Sequence, residues 1–276
     1  GSATVINGIC DINPANSHTV IIAEIDNCPD GTTVRFPQNA SYTLIDTIYV
    51  RDRNNLVIDG NGSTFTITTQ GNTKPDLPAV FGQAGKNGGN WMILRGTNIT
   101  LKNMTAIGSF PLAGQTRSLG AESAEPGYAE WMANFGIYGT DGAHLEDLTG
   151  KKPWGDTITT GPDTYVDNFN KSHGGKINYA QNVFVKRVHS EETSRMCFAL
   201  TSGNNMWLED SSCKSGWYGG SDEELDQITQ PMIGLHILRN TFDSFNLFGF
   251  NVPVPGPNIR DIDIRNNVFL THPDQP

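Results

Sequence analysis

Three short phrases carry the residues able to do chemistry. Trp154-Gly155-Asp156 sets a carboxylate close behind an indole, and residues 189–195 (His-Ser-Glu-Glu-Thr-Ser-Arg) are polar throughout. Residues 217–226 (Trp-Tyr-Gly-Gly-Ser-Asp-Glu-Glu-Leu-Asp) put four carboxylates beside two aromatics. Two carboxylates flanking a glycosidic bond act as acid and base, or as acid and nucleophile, and their separation decides the stereochemistry. Asp156, Asp222 and Glu224 are the candidate carboxylates. Arg195 is the candidate cation, whose charge would hold one carboxylate ionised and leave the other to donate a proton. Trp154 and Trp217 offer flat faces for sugar rings, with His189 and Glu191 as polar contacts. Each has a plainer use: Asp156 suits a turn, Arg195 a bridge to Glu191 or Glu192, and the acidic run a solvated loop. His144, His173, His189 and His236 are scattered without zinc-site spacing, so no metal centre is expected.

These phrases sit inside a repeat. Residues 182–208 hold two copies of one pattern, with Val183 and Val185 in the first and Met206 and Leu208 in the second, 23 residues on. Leu235 and Ile237 follow after a further 29 residues, and Ile262 and Ile264 after 27 more, while Ile99 and Leu101 stand upstream. Side chains of a strand alternate between its faces, so each copy sends two apolar residues to one side. A unit of this length cannot bury that face alone, and stacked neighbours must complete the core. His236, between Leu235 and Ile237, is then expected on the outside. An Asn lies beside each pair, and Asn tolerates the left-handed backbone of a tight corner. A β-sandwich with strands every 8–12 residues has no need of that Asn.

Residues 54–62 (Asn-Asn-Leu-Val-Ile-Asp-Gly-Asn-Gly), Asn98-Ile99-Thr100-Leu101 and residues 264–269 resemble coils of the right-handed parallel β-helix of the pectin-lyase-like superfamily, over about residues 28–270. The resemblance implies an all-β, single-stranded solenoid with an N-terminal cap, of which the phrase Cys28-Pro29-Asp30-Gly31-Thr32 is typical. It also implies glycan chemistry of two kinds. Hydrolases use paired carboxylates, whereas lyases and epimerases use an Arg or Lys base, often with Ca²⁺ held by Asp. Asp156, Arg195 and the Asp222/Glu224 pair further resemble, in order, a Gly-Asp, Arg and Asp-x-Glu series of secreted bacterial β-helix proteins of actinobacterial type.

Residues 1–53 read as the cap and first coil, with residues 19–26 as a helix over the open end, and 54–276 as one continuous run of coils. Polar excursions interrupt it at 70–90, 108–134 and 166–181. Long structureless connections of this kind are usually functional, and the second supplies Tyr128, Glu130 and Trp131 as sugar contacts. Cys10 and Cys28 flank the first strand and are expected to be bonded. Cys197 and Cys213 form a second pair or stay as buried thiols. Four sequons, at Asn39, Asn61, Asn98 and Asn103, are better explained as turn residues than as glycan acceptors.

Nineteen basic against twenty-nine acidic residues give a net charge of −10. No basic stripe exists for nucleic acid, and no apolar run is long enough to span a membrane. An anionic polymer would meet net repulsion unless a cation or a basic cluster intervened. Gly1-Ser2 reads as the scar of a removed tag, so a leader or upstream domain is expected before it. No cap follows residue 269, so an early end or a covering partner is expected there. The reading is a secreted protein acting on an extracellular polysaccharide, more a hydrolase than a lyase. No cofactor is expected, and Ca²⁺ would enter only with lyase chemistry. The alternative is a non-catalytic glycan-recognition module of the phage tail-spike kind, for which a homotrimer would follow.

Overall fold

The computed structural model describes residues 3–68, 89–110, 132–163, 177–201, 203–216, 219–223, 231–245, 248–251 and 257–270. Their strands wind round three faces. The first face runs from Ile9–Asp11 and Thr33–Arg35 through the leading halves of Asn54–Ile67, Thr97–Ile107, Asp141–Lys151 and Gln181–Thr193 to Met206–Glu209, Met232–Leu238 and Ile259–Arg265. The second face takes the trailing halves of the same four long strands, with Ser41–Leu44 below and Ser212–Gly216, Thr241–Phe245 and Val268–Leu270 above. Ile48–Arg51, Trp91–Leu94, Phe135–Tyr138, Ile158–Gly161, Met196–Leu200, Gly219–Asp222 and Phe248–Asn251 form the third. All pairing between coils is parallel, and crossovers between parallel strands take the right-handed sense. The chain is a right-handed parallel β-helix.

The expected inward rows are in strict register. Val183 pairs with Met206 and Val185 with Leu208, and these pair with Leu235 and Ile237, all fully buried. Each such side chain contributes about 1.5–3 kcal/mol. Ile262 and Ile264 continue the rows; Ile262 packs partly buried against the core, but the expectation fails at Ile264, which is 42 % exposed. No described coil lies above them.

From the strand Thr97–Ile107 upward the corner between the first and second faces is one residue wide and left-handed, whereas the coil below it takes three residues, Gly60 to Gly62, at the same place. Asn103, Asp147, Arg187, Asp210, Arg239 and Asn266 all have φ between 50° and 59°. Asn tolerates this conformation, whereas Arg does not favour it. At Arg187 and Arg239 the register imposes it, and their guanidinium groups bond Asp147 and Asp210, each one coil below. A second left-handed row, Asn55, Asn98, Asn182 and Asn205, opens the first face. The Asn61, Asn98 and Asn103 amides donate to Phe36, Asn55 and Asp59, a turn role that accounts for three of the four sequons.

The helix His18–Asn27 closes the lower end, burying Ile21 and Ile25. Arg53 holds its last turn, donating to the carbonyls of Ile25 and Cys28. Cys10 and Cys28 are bonded, as expected, and Cys197 and Cys213 form the second disulfide inside the stack. Among the described residues no helix is long and apolar enough to cross a membrane.

Candidate functional site

Alternation along the third face decides which side chains leave the core. Ile48, Trp91, Phe135, Ile158, Phe198, Ser221 and Phe250 share one register row and point inward. Their neighbours Tyr49, Met92, Gly136, Thr159, Ala199, Asp222 and Asn251 therefore form the outer row. Its lower part is apolar: Met92, Leu94 and Tyr138 pack together with Tyr49 against them. Gly136 leaves room for that packing, since a β-carbon there would lie 2.7 Å from the Tyr138 ring. The upper part is polar. Each internal stretch outside the described residues joins one end of a third-face strand in sequence.

Asp156 lies just before the strand Ile158–Gly161, with its carboxylate among three donors. Oδ1 accepts the Met196 backbone N–H at 3.0 Å, one coil above, and Oδ2 accepts the Thr159 hydroxyl at 3.0 Å. Arg195 Nη1 stands 3.7 Å from Oδ2. The expected bridge from Arg195 to Glu191 or Glu192 is thus replaced by a pairing with Asp156. Asp156 is 1 % exposed, so its carboxylate ties one coil to the next while facing the outer side. Asp222 sits higher in the outer row, 8 % exposed, and accepts the Asn251 amide at 2.7 Å.

Strand alternation separates the acidic run. Glu223 points inward between Asp222 and the following residues, fully buried. Ser221 donates to its Oε1, while Oε2 has no hydrogen-bond partner among the described residues. Burial pushes its carboxyl well above the usual range, outweighing the Ser221 hydrogen bond. Glu224, Trp217, Tyr128, Glu130 and Trp131 lie outside the described residues.

Trp154 is not an open sugar platform. It is 3 % exposed, its ring packs edge-on against Phe110 with Met132 alongside, and its indole N–H donates to Ser109 at 2.7 Å. His189 and Glu191 do not join the Asp156 group either, because they stand on the outside of the second face. There the His189 ring meets Ser212 through Nδ1 and Glu191 Oε2 through Nε2 at 3.0 Å, and Lys151 Nζ lies 3.0 Å from Glu191 Oε1. The His189 hydrogen bond, then that from Lys151, lower the Glu191 pKa. Ser212 and Lys151 were not among the expected site residues. The signal for Ser212 was present, since it follows His189 by the same 23 residues that separate Val183 from Met206.

His236 is outside the coil as expected, its ring stacked on Trp207 at 3.8 Å. His144 stacks likewise on Phe184 at 4.8 Å. These rings lie in one outer row of the first face and cover one another's faces, so they offer edges to a ligand. An open groove of about 550 Å³, lined by Arg95, Gly139, Asp141, Asn178, Tyr179 and Gln181 among others, follows the edge where the third face passes to the first. Among the described residues no three His, Cys, Asp or Glu side chains are placed to hold a metal ion.

No family model matches the chain, and no curated protein matches its sequence. Among solved structures it is similar to PfbA, a surface adhesin of Streptococcus pneumoniae, at 12 % identity and TM-score 0.47, over 93 % of this chain and 78 % of that one. It is also similar to the Geobacillus virus E2 protein ORF18, at 10 % identity and TM-score 0.40, over 88 % and 60 % of the two chains. A third similarity is to endo-xylogalacturonan hydrolase from Aspergillus tubingensis, at 9 % identity and TM-score 0.31, over 97 % and 96 %.

Proposed function

We propose that the third face is the glycan-handling surface of a secreted carbohydrate-active protein, and that it cleaves an extracellular polysaccharide by glycoside hydrolysis. The observation that carries this is the convergence of Asp156, Arg195 and Asp222, contributed by three successive coils, on one outer surface. The residue that the Asp156 carboxylate touches, Thr159, lies two coils below Asp222 in the same row, a rise of roughly 10 Å. Retaining glycosidases need carboxylates about 5–5.5 Å apart, whereas inverting ones use about 6.5–9.5 Å with room for a water. That rise is far from the retaining range and at the upper edge of the inverting one, so inversion is the proposed outcome for this pair. Asp156, facing three donors, serves as the anionic partner that activates water, and Asp222 protonates the leaving oxygen. Glu224 remains the proposed second carboxylate beside Asp222. The groove along Arg95 and Tyr179 gives an extended polymer a track away from this centre.

A second reading, glycan recognition without cleavage, is favoured by one observation: Asp156 is enclosed and already bonded on both oxygens. A panel of neutral and acidic polysaccharides separates the readings. New reducing ends without absorbance at about 235 nm mean hydrolysis, absorbance there means elimination at a uronate, and binding with neither means recognition.

A further inference from the structure

We propose that the second face carries a separate acyl-ester hydrolase centre, with Ser212 as nucleophile, His189 as its base and Glu191 as the carboxylate that orients the base. Three observations carry it. The first is connectivity: Ser212 Oγ meets His189 Nδ1, His189 Nε2 meets Glu191 Oε2, and Lys151 fixes the far oxygen of Glu191. This is the order of nucleophile, base and orienting group by which such centres are identified. The second is access. The His189 side chain is 41 % exposed and that of Glu191 25 %, so an ester can reach the line.

The third observation is the row itself. Thr64, Thr105, Thr149, His189, Ser212 and Thr241 stand in register on successive coils of the second face. Threonine is the ordinary occupant, as expected on an exposed strand face. The row opens on Ser41 and closes on Val268; between them it departs from threonine at two adjacent coils, and those two residues are the pair that bond each other. In the neighbouring outer row Lys151, Glu191 and Lys214 are in register, so two cations flank the orienting carboxylate. Lys214 is exposed on the same strand as Ser212, two residues on, and supplies positive charge for the oxyanion of a tetrahedral intermediate.

The chemistry balances with water alone. Ser212 Oγ bonds the acyl carbon as its proton passes to His189 Nδ1. The bond from the acyl carbon to the alcohol oxygen then breaks, and the alcohol leaves with that proton. Water adds to the acyl-serine by the same route, releasing the carboxylic acid and restoring Ser212. An open strand face suits an acyl group displayed on a bulky or polymeric alcohol, such as an O-acylated glycan. This centre does not depend on the third-face reading.

The test uses the full chain, p-nitrophenyl acetate and a fluorophosphonate, which bonds a reactive serine oxygen with loss of fluoride. The expected result is labelling of the peptide containing Ser212 in folded protein only. Ester hydrolysis should fall by on the order of 100-fold or more in Ser212→Ala and in His189→Gln, as loss of a positioned base or nucleophile gives. Glu191→Gln, a positioning change, should lower kcat more than KM and displace the pH profile, with circular dichroism unchanged. Absence of the label at Ser212, or wild-type hydrolysis by folded Ser212→Ala or folded His189→Gln, overturns the proposal.

Discussion

Asp156 on the third face and Glu191 on the second are both carboxylates beside a cation, yet the fold uses them in opposite ways. The Asp156 side chain is 2 % exposed and accepts a backbone N–H from the coil above, so the stacking of two coils passes through it. Glu191 is 25 % exposed, and its described partners, His189 and Lys151, are side chains on the outside of the coil. A carboxylate can thus be part of the scaffold or an addition to it, and burial with backbone bonding separates the two.

Stability measurements can break that comparison. Asp156→Ala should cost about 3–5 kcal/mol in urea unfolding, the range for removing one partner of a buried charge pair. Equal costs at Asp156 and Glu191 would erase the distinction. Next in size is the disulfide that closes the stack beside Arg195. Replacing Cys197 and Cys213 together by Ser should cost roughly 3 kcal/mol in the chain-entropy model, measured under the same conditions.

The Glu223 prediction sharpens the contrast by pH. Its folded pKa is raised by burial, so above the ordinary glutamate range the folded state binds more protons than the unfolded one. Stability contributed by Glu223 is therefore present at acidic pH and lost as pH rises through the folded pKa. Glu191 has the opposite sign: its pKa is lowered, and its contribution is lost as pH falls below the usual carboxylate range. Melting temperature should fall as pH rises above the usual carboxylate range in the wild type, and the fall should shrink in Glu223→Gln. An unchanged slope in that variant would remove Glu223 as the cause. The smallest effect is expected at Glu191→Ala, below about 1 kcal/mol, as for exposed pairs.

How much of this could be read beforehand depended on distance along the chain. Val183, Val185, Met206, Leu208, Leu235 and Ile237 were readable because each coil repeats the same apolar pair in register. Ile264 was misjudged because burial in a solenoid needs a coil on both sides. The left-handed Asn residues followed from their chemistry, but Arg187 and Arg239 take that conformation through register alone, and nothing in their residue type announces it. The coils that carry Asp156, Arg195 and Asp222 could be assigned from the repeat, and the Cys10–Cys28 bond from the position of the two cysteines on either side of the first strand. The burial of Trp154 could not be, because its partners Ser109 and Phe110 come from the coil below, more than forty residues upstream. Ser212 was recoverable, had the 23-residue spacing been applied to polar positions as well as apolar ones.

The central claim is that the outer row of the third face handles a glycan, with Asp222 as its most exposed described carboxylate. The most direct measurement is reducing-end release from a polysaccharide panel by wild type and Asp222→Asn, with melting temperatures taken alongside. Release by the wild type, lowered on the order of 100-fold or more in a variant that melts within a few degrees of it, is the predicted result. Equal release by the two proteins, or neither release nor binding by the wild type on any polymer, would contradict it.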